Sequence, residues 1–373
     1  MGATDMQAMT LFLAGDVMLG RGVDQILPHP VHPQLFESFV KSARDYVTLA
    51  ERHSGPIPRQ VGWDYVWGDA LNELQRLQPH ARIVNLETAV TARGEPWPAK
   101  GIHYRMHPAN VPCLTAAALD CCVLANNHVL DWGYTGLGDT LAALHGAGLR
   151  TAGAGMNQAE AEAPACIDVP GRGRVLLFAV ASDSSGVLPS WQATADRPGI
   201  SRLPDFSAQA AQALAARAAA ARREGDIVVV SVHWGGNWGY PVPGEQRSFA
   251  RQLIDSGAVD VVFGHSSHHV KGIEVYRGRL ILYGCGDLLN DYEGIGGEED
   301  YRPDLALMYF ASFDAQERRL VGLTMVPVRV ERFQIRRASD DDTAWLLATL
   351  NREGQRFGTG AQQGGADLLL RWT

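Results

Sequence analysis

Short apolar runs bounded by turn residues recur along the chain, with stretches of helical period between them. Residues 10–14, 81–85, 121–125, 226–232 and 259–263 are apolar at successive rather than alternate positions. Runs of that kind predict strands buried on both faces of a sheet. Residues 134–146 predict a helix ending near Gly146 and Gly148, and 245–255 another ending at Gly257. The Ala-rich stretch 207–223 opens on an N-capping Ser207 and closes on Arg222 and Arg223 before Gly225, so it predicts a third. Strand–helix alternation of this sort predicts an α/β fold. Further strands are expected at 280–283, 305–313 and 320–330. The tail from about 331 reads as less regular, with a short helix near 343–351 and a Gly/Gln-rich stretch at 358–365. No internal repeat or long flexible linker interrupts residues 1–373, so a single domain is expected. The loops 93–100 and 184–198, which carry Pro and Trp, are placed to overhang a site.

The five apolar runs share one property. Each ends in residues able to bind a metal or move a proton: Asp16, then Glu87, then Asn127 and His128, then His233, then His265 and His268. In open α/β sheets ligands gather outside the carboxyl ends of the strands, so these side chains are expected to converge. Any one of them alone is explained by a turn, a cap or a packed histidine. Together they supply two carboxylates, an amide and four imidazoles. Carboxylate oxygen, amide oxygen and imidazole nitrogen suit a divalent ion such as Mn, Zn, Fe or Ni. A bridging carboxylate such as Glu87 could hold two ions, and His128 would be free to protonate a leaving group.

Composition narrows the partners. The net charge is −8 with no Lys/Arg run, so neither nucleic acid nor an anionic membrane surface is an expected partner. No stretch reaches the ~20 apolar residues of a membrane span. The apolar run 9–14 is short, without a basic leader, so no signal peptide is expected. The five cysteines are odd in number and form no Cys-x-x-Cys pair, which predicts free, buried thiols and a cytoplasmic protein. A small-molecule or peptide substrate is expected, and no motif specifies an oligomeric state.

Five ordered blocks carry a resemblance: Gly15-Asp-Val-Met-Leu-Gly-Arg21, Asn85-Leu-Glu87, Asn126-Asn-His128, His233-Trp-Gly235 and Gly264-His265-Ser-Ser-His268. In these the chain resembles the CapA, or poly-γ-glutamate capsule-synthesis, family over roughly residues 10–290. The resemblance implies the calcineurin-like metallophosphatase superfamily, with a two-sheet sandwich flanked by helices in four αββα layers. It implies metal ligation by Asp16, Asn127, His233, His265 and His268, a bridging role for Glu87 and a catalytic one for His128. Two departures stand out. Met18 occupies the place of a histidine ligand, and two residues, Ser266 and Ser267, rather than one separate the last histidines. At most one tightly held ion is therefore expected, on the His233/His265 side.

Further candidates each have a plain alternative. Arg21 could hold an anionic group or be salt-bridged. Asp131 could orient His128 or start a helix. Asp287, in the turn Gly284-Cys-Gly-Asp287, could support the site from behind. Glu245 could line the site or favour its helix N-terminus. Trp234, Trp238 and Tyr240 could wall a pocket or pack in the core. Three functions fit: metal-assisted hydrolysis of a phosphoester or glutamate-type amide, metal-independent acid–base chemistry on a peptide such as epimerisation, or a non-catalytic part in capsule assembly.

Overall fold

The strand Ala8–Val17 is buried almost throughout, as an unbroken apolar run requires, and lies inside a sheet. In the computed structural model, which describes residues 8–373, it runs parallel to Ala81–Leu86. That strand is parallel to Cys121–Val123, and the latter to Arg150–Ala152. On the other side Ala8–Val17 pairs antiparallel with Leu305–Asp314, and the sheet continues through Arg319–Glu331 to the hairpin Thr359–Gly364/Asp367–Trp372. The second sheet is built on Gly173–Ser182, Ile227–His233, Val261–His265 and Arg279–Leu282, all parallel, with Ile273–Tyr276 antiparallel beside the last.

Side-chain parity explains how the sheets stack. Along Ile227–His233, Ile227 and Val229 enter the large core that also holds Leu11 and Ile83 of the first sheet. Val228, Val230 and Val232 face the other way, onto Leu214 of helix Ala208–Ala221 and Phe249 and Leu253 of helix Gly244–Asp255. Successive side chains alternate between faces, so Ser231 and His233 point into the space between the sheets. Val261 and Phe263 likewise set His265 on that inner face. Helices Asp69–Leu77 and Gly133–Gly146 add Leu74, Leu137 and Leu144 to the large core. The expected α/β architecture, two sheets flanked by helices, is the one the chain adopts.

The tail corrects an expectation. Residues 331–373 are regular: strand Gln334–Arg337, helix Asp340–Gly354 and the terminal hairpin. Ser339 and Asp342 form a capping box that starts the helix. The Gly/Gln-rich stretch forms a strand because Arg319–Glu331 offers its partner strand a ladder, and Leu368, Leu370 and Ala361 are buried there. All five cysteines are free, four of them buried. Among the described residues no helix is long and apolar enough to cross a membrane. The expectation about a leader falls partly on residues 1–7, outside the described ones.

Candidate metal centre and acid–base pair

Asp16 sits where its strand ladder skips a residue, with Ala14 opposite Val84 but Asp16 opposite Asn85. Gly15 occupies the irregularity, and a Cβ there would lie 1.8 Å from the Gly286 carbonyl oxygen. Only glycine allows that approach. The register thereby places Asp16 beside Asn85 on one flank and Asp287 on the other. Asn85 Nδ2 donates to Asp16 Oδ1 at 2.7 Å and reaches Glu87 Oε2 at 3.4 Å. Asp16 Oδ2 is buried, and no hydrogen-bond donor reaches it among the described residues.

The histidines come from the opposing sheet. Parallel register sets His233 directly beside His265, with their Nδ1 atoms 2.7 Å apart. His265 Nε2 meets Ser231 Oγ at 2.6 Å, and its Nδ1 lies 3.7 Å from Asp16 Oδ1. His233 Nε2 is 3.1 Å from Asn127 Oδ1. His268 Nδ1 bonds Asp287 Oδ1 at 2.9 Å. The spacing between His265 and His268 is absorbed at Ser266, whose φ of 101° is a conformation non-glycine residues rarely adopt. One donor atom from each of Asp16, His233 and His265 lie within 4.8 Å of one another, and so do those of Asp16, His268 and Asp287. Asp16 belongs to both groups.

Burial dominates the electrostatics. It raises the Asp16 carboxyl to about 6, and holds Glu87 well above the usual carboxylate range with help from the Asp16 charge. Burial pushes His265 down to about 3 and His233 well below its ordinary value. His268 is the exception: burial would lower it, but Asp287 outweighs that and raises it. Two neutral imidazoles beside carboxylates that resist sharing negative charge are an arrangement a divalent cation would relieve. The donor set and the open Asp16 oxygen therefore fit a metal.

His128 forms a separate unit at the edge of this cluster. Its Nδ1 is 2.6 Å from Asp131 Oδ2, and its Nε2 faces Glu87 Oε1 at 3.7 Å. Burial lowers its pKa to about 4 despite Asp131. With Nδ1–H donating to Asp131, Nε2 is left to accept a proton; Lys100 Nζ also lies 3.1 Å from Nδ1. Asp131 is held in place by Lys100 Nζ at 2.6 Å and by the Tyr104 backbone N–H at 2.6 Å. The Tyr104 ring stacks on His128 with centroids 4.1 Å apart.

Asp16, Glu87, Asn127, His128, Asp131, His233, His265 and His268 are thus brought together. Four expectations change. Glu87 lies beside the cluster, 4.0 Å from His233 Nε2, but Asp16 is the carboxylate common to both groups. Arg21 is buried, bidentate on Asp291 and paired with Glu37, which leaves it no free charge for a substrate anion. Trp234 is a core residue, packed on Phe249 and Tyr283 and donating Nε1–H to the Tyr283 carbonyl. Glu245 lies exposed in the first turn of its helix, where its charge suits the helix dipole. Lys100 and Tyr104 were missed; the Pro- and Trp-bearing loop 93–100 hinted at Lys100, and no sequence signal pointed to Tyr104. Asp287 was undervalued, because its tie to Asp16 exists only in the sheet register.

The fold and cluster define a two-sheet α/β protein with a histidine–carboxylate centre between its sheets. Residues 10–292 match the family model described as bacterial capsule synthesis protein PGA_cap, and the chain belongs to that family. It is 50% identical over 357 residues to a "Probable polyglutamine synthesis accessory protein" of Mycobacterium tuberculosis, covering 95% of this chain and 94% of that one. It is 28% identical over 292 residues to the "PGA biosynthesis protein CapA" of Bacillus subtilis, covering 74% and 62%. A solved structure titled as a novel phosphatase from Mycoplasma pneumoniae is similar at TM-score 0.47 and 11% identity, covering 90% and 96%, too distant to carry an argument.

Proposed function

We propose that this chain is a metal-assisted hydrolase of a phosphoester or amide bond, acting in the synthesis of a glutamate-type polymer. The second part rests on the printed names of the relatives alone. The first rests on one observation: two ligand groups share Asp16, whose outer oxygen no donor reaches. In this reading Asp16, His233 and His265, with Asn127 adjacent, hold one divalent ion, and Asp16, His268 and Asp287 hold a second. Asp287 takes up the role lost at Met18. Ions there would supply a Lewis acid for the oxygen of the scissile group and an acidified water. The chain's own residues do the rest. Asp131, accepting from Nδ1, keeps His128 Nε2 aimed at the cluster, where it takes a proton and returns it to the leaving group. Glu87, whose carboxyl burial and the Asp16 charge hold well above the ordinary range, faces His128 Nε2 at the edge of the cluster.

The test is turnover of 4-nitrophenyl phosphate before and after chelation and on restoring Mn²⁺. Loss and recovery support the reading. Full activity without metal would transfer the hydrolysis to the histidines alone, and total inactivity under all conditions would favour acid–base chemistry of another kind, such as epimerisation, or a non-catalytic role. For His128→Ala, turnover should fall ~100-fold or more while bound metal is unchanged. Loss of metal would make His128 a ligand instead.

A further inference from the structure

Beside the cluster lies a cavity of about 200 Å³ that neither the family match nor the ligand groups account for. It shares two walls with the centre. One is His268, bonded to Asp287; the other is Tyr104, stacked on His128. The remaining surface is mainly aromatic and aliphatic: Tyr292, Trp238, Ile102, Ile295 and Phe39. Three of these stand open to solvent at the rim, Phe39 at 75%, Ile295 at 45% and Ile102 at 36%. Large apolar side chains exposed together around a concavity mark a binding site. Electrostatics point the same way. Of the two basic residues lining the cavity, Arg21 has its charge spent on Asp291 and Glu37, and His268 is bonded to Asp287. The one acid there, Glu298, forms no ion pair among the described residues. Neither basic side chain of the wall is left free to pair with a carboxylate.

We infer that this cavity binds one apolar group, a single ring or branched alkyl chain, attached to the group processed at the Asp16/His128 cluster. The volume is below the ~300 Å³ at which sites for whole drug-sized ligands begin, so it takes a side group rather than the whole substrate. The substrate is then amphipathic: a polar head at the metal centre and an apolar group against Tyr104, Trp238 and Ile295. This rests on the proposed function in placing the reacting group at that cluster.

The experiment compares phenylphosphonate with methylphosphonate by calorimetry, on the full chain in Mn²⁺. The two share a head and differ only in the group for the cavity. Phenylphosphonate should bind at least about tenfold more tightly, the scale expected for burying one ring. Ile295→Asp and Ile102→Asp each place a charge at the partly exposed rim, and should bring the ratio close to one, with thermal unfolding checked alongside. Equal affinities, no binding of either compound, or a preference that survives both variants would overturn the inference. Hydrolysis of 4-nitrophenyl phosphate, followed in parallel, separates the two readings. A phenyl preference without hydrolysis leaves the cavity standing and removes the hydrolase. Hydrolysis with equal affinities does the reverse.

Discussion

At Asp16 two demands meet. The carboxylate is fully enclosed, and a second carboxylate, Glu87, shares its surroundings. Its pKa is raised to about 6 in the folded chain, against ~3.9 unfolded. The folded state therefore binds more protons between these values, and the contribution of Asp16 to stability is lost as pH rises through about 6. His265 has the opposite sign: lowered to about 3 from ~6.5, it loses stability as pH falls below the unfolded value. Between about pH 4 and 6 the two slopes oppose and cancel, and from there to ~6.5 the His265 slope alone remains, so on these two groups metal-free protein should gain stability up to ~pH 6.5 and then level off. Asp16→Asn keeps the oxygen that accepts from Asn85 and removes the buried charge. Thermal unfolding with chelator present should show this variant more stable than the parent by ~1–3 kcal/mol at pH 7.5. The gain should shrink as pH falls and vanish below ~3.9. A variant destabilised at pH 7.5 would mean that the Asp16 charge is already compensated. The chemistry of the cluster was legible at this scale, because carboxylates and histidines after apolar runs are visible in the chain. The protonation states were not, since they follow from burial and neighbours that no spacing reveals.

Strand parity and register assemble the centre. Alternation along 227–233 and 261–265 aims His233 and His265 inward, and the runs that predicted those strands were plain in the sequence. What escaped was pairing. Asp287 meets Asp16 only through the short parallel ladder beside Gly15, and the 359–372 hairpin pairs despite a composition that reads as loop. Trp234 was misjudged for a related reason: it follows His233 by one residue, so it faces the helices rather than the site. Trp234→Ala should cost ~3–5 kcal/mol in denaturant unfolding. Glu245→Ala, at an exposed position, should stay within ~0.5 kcal/mol. Ser266 carries the strain of spanning His265 to His268. Ser266→Gly should hold stability within ~1 kcal/mol of the parent, whereas Ser266→Val, β-branched at positive φ, should lose ~1–3 kcal/mol. Equal stabilities for the two would show that the backbone relaxes there.

Across the molecule, the two sheets meet at one cluster contributed by six stretches of chain that lie far apart in sequence. Asp16, Glu87 and Asp287 come from the first sheet and its loops, and His233 and His265 from the second. An ion bound between them would tie the sheets together, so metal at a hundredfold excess over Kd should raise the unfolding free energy by ~2.7 kcal/mol for each ion held. The fold class was readable because alternating strands and helices are a long-range pattern. The second group was not, because Met18 suggested a missing ligand, and Asp287, whose carboxylate lies near Asp16 and His268, stands 271 positions further on than Asp16. The most direct measurement is metal stoichiometry, by elemental analysis with calorimetric titration of Mn²⁺, for the parent and for Asp287→Asn. The account predicts two ions per chain in the parent and one in the variant, retained by Asp16, His233 and His265. One ion or none in the parent, or two ions still bound by Asp287→Asn, would contradict it.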